Sequence, residues 1–135
     1  MQTAKVVYQG ELRVLSTHVR SEQQILTDAP PDNNGKGEAF SPTDLLATSL
    51  ITCMITMMGI AAEKNDWEMG EVVGEVEKIM ASAPRRVAGI NIFLLFRNHD
   101  LSETEKSFLE QTALNCPVAK SIHPDIATHV KFSYE

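Results

Sequence analysis

An uncharged run of 18 residues, 45–62, separates Asp44 from Glu63 in the segment SPTDLLATSLITCMITMMGIAAEKN (41–65). No other feature restricts the fold as strongly. A helix that is apolar nearly all round must be buried nearly all round. The run sits at the lower edge of what crosses a bilayer. It is broken by Thr48, Ser49, Thr52, Thr56 and Gly59, and no Lys/Arg cluster flanks it. A central helix of a soluble domain is therefore expected rather than a membrane span. With 135 residues the chain is one domain's length. It cannot easily surround such a helix alone, so a second copy is expected to complete the burial in a homodimer.

The helix start is written in the sequence. Ser41 suits the N-cap. Pro42 suits the first helical position, where its missing N–H costs nothing. Asp44 stands three residues after the cap, forming an S-x-x-D capping box at the positive end of the dipole. The helix should run to about residue 64, with Asn65 just past its end.

Around it, residues 4–8, 11–19 and 23–28 are short, β-branched and partly alternating, and read as three strands. The segment APPDNNGKGEAF (29–40) is a loop, without P-loop spacing. Residues 68–81 and 85–97 form a hairpin across Ala83-Pro84, with Gly74 and Gly89 as candidate bulges. Ser102 opens a second helix over 102–115, CPVAKSI (116–122) a short third, and DIATHVKFSYE (125–135) a last strand. The order βββ-α-ββ-αα-β makes a single α+β domain spanning 1–135.

A net charge of −6, with no dense basic stripe, argues against nucleic acid as a partner. The N-terminus has no apolar signal-peptide core. Two cysteines 63 positions apart are no secreted disulfide framework, so a reducing, cytoplasmic setting is expected. The four histidines, His18, His99, His123 and His129, are scattered, which gives no metal spacing and no signature for a Cys–His hydrolase.

Two readings of each thiol stand side by side. Cys53 lies mid-helix with Leu46, Ser49, Leu50, Met57 and Ile60 along its face, as a packed core cysteine or as a reactive one. Cys116 precedes Pro117 at a predicted helix start, where free N–H groups favour a thiolate. Spacing alone does not show that the two meet.

SPTDLLATSLITC followed by CPVAKSIHPDI resembles the OsmC/Ohr family, over essentially the whole chain. The resemblance implies an intertwined homodimer with long central helices packed on sheets, and active sites at the subunit interface. It implies reduction of organic hydroperoxides by a cysteine pair without metal, flavin or haem, with a dithiol such as a lipoyl protein as reductant. Carried over, Cys53 is the peroxide-reacting thiol and Cys116 its disulfide partner. Arg20 is the cation that holds the thiolate, with Arg13 its rival. The chemistry agrees: a thiolate attacks the O–O bond, and the sulfenic acid formed condenses with a second thiol. Leu50 and Met57, with Ile51, Met54 and Met58, offer apolar walls for an alkyl hydroperoxide, although plain core packing is the simpler reading of Met54 and Met58. Ten residues before the first cysteine, the peroxidase subfamilies carry a glutamate. This chain has Thr43 there and Asp44 next to it. Thr43 cannot pair bidentately with an arginine. That difference keeps a second function open, a dimeric binding protein for a small hydrophobic ligand.

Overall fold

The computed structural model describes residues 1–135, which divide into two compact units, Met1–Leu46 and Ala47–Glu135. The first unit holds an antiparallel meander of β1 (Ala4–Gly10), β2 (Arg13–His18) and β3 (Gln24–Asp28). The loop that follows is tied at its base, where the Asp28 N–H donates to the Phe40 carbonyl at 3.0 Å. Inside it a 3-10 turn at Pro31–Asn33 hands over to Gly37, whose N–H donates to the Ala29 carbonyl at 3.1 Å. In this unit no apolar side chain is buried. The covered residues are Thr27, Asp28 and Ser41, while Val6, Val7, Tyr8, Ile25 and Leu26 are exposed.

The long helix α1 is Pro42–Lys64, with the start that the sequence dictates. The Ser41 N–H donates to Asp44 Oδ2 at 2.9 Å, and the Asp44 N–H donates to Ser41 Oγ at 3.0 Å. These two bonds satisfy donors that a helix start otherwise leaves unpaired. At the other end Asp66, not Asn65, takes the left-handed conformation, at φ 56°. The Trp67 N–H then reaches the Ala62 carbonyl at 2.9 Å, and the Asp66 N–H that of Glu63 at 3.3 Å. This is a Schellman ending, with Asn65 as the last helical cap. By length and composition α1 could cross a membrane. Its buried residues, Ala47, Leu50, Ile51, Met54, Met58 and Ala62, fall at helical spacing and form one stripe.

In the second unit β4 (Glu71–Ser82) and β5 (Arg85–Arg97) form the expected hairpin, and β6 (Ala127–Tyr134) lies parallel to β5 on its other side. A parallel pair needs a crossover, and α2 (Glu103–Leu114) supplies it. Its N-cap is a complete Ser102/Glu105 capping box. Ile90, Ile92, Leu94 and Phe96 of β5 are buried at every second position. Gly74 is no bulge. A Cβ there would lie 2.7 Å from Ile51 Cδ1 and 2.9 Å from Leu94 Cδ2, so its absence lets α1 approach the hairpin. The bulge sits at Ala88, beside Gly89, because Ile79 pairs with Gly89 and Met80 with Val87.

Tyr134 fastens β6 to α2. Its ring stacks on Phe96 at 4.8 Å, and its hydroxyl donates to Glu110 Oε2 at 2.9 Å. Burial first, and then Glu110, push this phenol well above its ordinary range, so it stays a donor.

Gly70 begins the hairpin at φ 70°, and a Cβ there would collide with the Arg97 carbonyl oxygen. Gly70→Ala should destabilise by about 2 kcal/mol or more, since the left-handed conformation alone costs roughly 1–2 kcal/mol with a side chain. Ser41→Ala should lose about 1 kcal/mol, the usual worth of an N-cap. Urea midpoints, at unchanged slope, check both.

Candidate thiol site

Both cysteines lie in the second unit, and both are free thiols. Cys53 is half-buried in the middle of α1, flanked by the buried Leu50 and Met54. Cys116 lies two residues past the end of α2 and is 0% exposed. Its N–H donates to the Ala113 carbonyl at 3.2 Å, so the end of α2 sets its position.

The short third helix expected from Cys116 onward is a run of turns instead. Lys120 bonds back to the Cys116 carbonyl at 3.1 Å, but Ser121 and Ile122 both donate to the Val118 carbonyl. The Ala119 N–H goes to Cys116 Sγ at 3.4 Å rather than to a carbonyl, which interrupts a helical ladder. In place of the helix start anticipated to favour a thiolate, the turn aims one N–H, that of Ala119, at the sulfur.

Four influences meet at Cys116. Burial is the largest and pushes its pKa up. The Ala119 N–H opposes it. The neighbouring Cys53 thiol, through hydrogen bonding and charge, raises it further, and the Val118 N–H lowers it again. The net direction is upward from 9.0, so Cys116 rests as a thiol. The two thiols are thus direct neighbours, which their 63-residue separation in the chain could not reveal.

The two arginines occupy different settings within the first unit. Arg20 lies exposed in the turn between β2 and β3, where the sequence puts it, and makes no ion pair. Arg13 is committed: its Nη2 lies 2.7 Å from Glu38 Oε2 and 3.4 Å from Asp28 Oδ2. The Glu38 N–H also donates to Asp28 Oδ2 at 3.0 Å, and the Asp28 side chain is fully covered. This Arg13–Asp28–Glu38 cluster escaped the sequence reading. Its members are 15 and 25 residues apart and no local pattern joins them.

The remaining candidates sort by burial. Leu50 is wholly covered by its own chain, as are Met54 and Met58, which are core packing. Met57 is half-buried. The Thr43 hydroxyl is 3.2 Å from Ser41 Oγ, and the Asp44 carboxylate closes the helix cap. Three of the four histidines are engaged away from the thiols. His18 Nδ1 bonds Ser21 Oγ at 2.6 Å, and His99 and His123 accept the N–H groups of Leu101 and Asp125.

Residues 35–131 match the family described as OsmC-like protein. The chain belongs to this family. Its α+β architecture, with two sheets and a long helix before the hairpin, is the OsmC-like fold. A crystal structure from Psychrobacter arcticus 273-4, named as a candidate osmotic stress induced and detoxification response protein, is 52% identical. The match covers 98% of this chain and 96% of that one, with a TM-score of 0.92. An organic hydroperoxide resistance protein OsmC from Legionella pneumophila superposes with a TM-score of 0.72 at 17% identity, covering 98% of each chain. The organic hydroperoxide resistance protein OhrB of Bacillus subtilis does so with 0.64 at 19% identity, covering 97% of this chain and 98% of that one. No curated protein matches the chain.

The OsmC-like thiols should differ in reactivity. In native protein at neutral pH, iodoacetamide should modify Cys53 and spare Cys116; in urea both should react. Because the folded pKa of Cys116 is raised, its native form holds the proton more tightly. Its contribution to stability is then present below its ordinary value of 9.0 and is lost as pH rises through the raised value. Peptide mapping across a pH series checks both statements.

Proposed function

We propose that this OsmC-like protein is a homodimeric, cysteine-based reductase of organic hydroperoxides. The observation that carries the proposal is the adjacency of the half-buried Cys53 and the fully buried Cys116. The Cys53 thiolate attacks the terminal oxygen of the hydroperoxide. The O–O bond breaks, and the alkoxide takes a proton and leaves as the alcohol. Cys53 is left as a sulfenic acid. Cys116 sulfur attacks Cys53 sulfur, and the hydroxyl leaves as water with the Cys116 proton. A dithiol, such as a dihydrolipoyl protein, then restores both thiols.

Arg20 is the cation for the thiolate. Its rival Arg13 is already held by two carboxylates, which favours Arg20 of the two. The dimer is supported by the exposed apolar residues of β1–β3 and by the exposed Thr52, Thr56 and Ile60 face of α1. A three-stranded sheet with no buried apolar residue needs a covering surface.

One observation favours a second reading. The acid beside the usual glutamate position, Asp44, is spent on the helix cap, and Thr43 offers only a hydroxyl. A dimeric binding protein for a small hydrophobic ligand follows if Arg20 lacks an orienting carboxylate.

Cumene hydroperoxide consumption with a dithiol reductant decides between the two. Cys53→Ser should lose activity by roughly 100-fold or more, as removal of a nucleophile does. Arg20→Met should slow the first turnover about tenfold, the effect of losing a charge interaction of about 1.4 kcal/mol. Equal rates for wild type and Cys53→Ser would leave the binding reading. Light scattering should give the mass of two chains, and a stable monomer at micromolar concentration would refute the dimer.

A further inference from the structure

We infer that the reductant enters the oxidised site at Cys53 alone, displacing Cys116 onto the Ala119 N–H of the turn that follows it. The inference rests on the peroxidase reading and specifies which sulfur of that site meets its second substrate, a dithiol. A thiolate attacks a disulfide sulfur along the S–S axis and pushes the electron pair onto the far sulfur, so the approach must come from behind the attacked atom. At Cys116 that space is filled: the residue is 0% exposed, and the turn 117–119 lies against its sulfur, with the Ala119 N–H 3.4 Å away. At Cys53 the helix face is half-open.

The displaced sulfur also needs a place for its charge. The Ala119 N–H points at Cys116 Sγ from 3.4 Å and offsets part of the cost that burial puts on its charged form. The steps balance. One thiolate of the dithiol bonds to Cys53 sulfur as the S–S bond breaks, and Cys116 sulfur keeps the electron pair. The second reductant thiolate then attacks the first, releasing Cys53. The dithiol gives up two electrons and two protons, and each cysteine regains one of each. Burial then favours the protonated Cys116, which slows its return onto the mixed disulfide and gives the reductant's second thiol time to finish.

The chain has only these two cysteines, so the exchange can be mapped without ambiguity. Oxidised protein is prepared in two ways, with one equivalent of cumene hydroperoxide and with diamide. Each sample is exposed briefly to limiting 2-mercaptoethanesulfonate and quenched in acid. The freed thiol is capped with N-ethylmaleimide and the peptides are analysed by mass. The inference predicts the sulfonate adduct on Cys53 and the maleimide on Cys116, in roughly tenfold excess over the reverse. An excess of adduct on Cys116, or equal amounts on both, overturns it. A disulfide formed by diamide but not by hydroperoxide refutes the peroxidase reading, and the same mapping still decides the entry point. No disulfide with either oxidant overturns both.

Discussion

The burial of α1 is the constraint on which the rest of the structure depends. Eighteen successive uncharged residues cannot face water on all sides. The chain meets part of this demand itself. The stripe from Ala47 to Ala62 is buried, and Gly74 removes the side chain that would hold Ile51 away. The remaining demand is what the proposed second copy would meet. Cys53 sits beside the buried stripe, half-covered by its own chain.

Cys116 is placed by a different device. The α2 helix is fixed at its start by the Ser102/Glu105 box and along its length by Tyr134 and Glu110. Two residues after it ends, a turn sets the Ala119 N–H against the Cys116 sulfur. Burial keeps the sulfur protonated at rest, and the Ala119 N–H opposes that effect only in part.

What the sequence revealed follows from the range of each interaction. The starts of α1 and α2 depend on residues three apart, so Ser41, Asp44, Ser102 and Glu105 could be read directly. The hairpin was legible from alternation in β5 and from Ala83-Pro84. The third helix was misjudged because CPVAKSI has a helix-like start but sends its Ala119 N–H to a side chain. The left-handed residue after α1 was placed one position early, because Asn65 and Asp66 both tolerate that conformation. The meeting of the thiols and the Arg13 cluster are long-range, and no local pattern encodes them. Only the resemblance to a family anticipated the first, and nothing anticipated the second.

The central claim is that Cys53 and Cys116 act as one redox unit. Its most direct test is intact-mass and peptide analysis after one equivalent of cumene hydroperoxide is added to reduced protein. The account predicts loss of two hydrogens per chain and a single cross-linked peptide pair joining Cys53 to Cys116. Persistence of two free thiols, or stable oxygen adducts on Cys53 with Cys116 untouched, would contradict it.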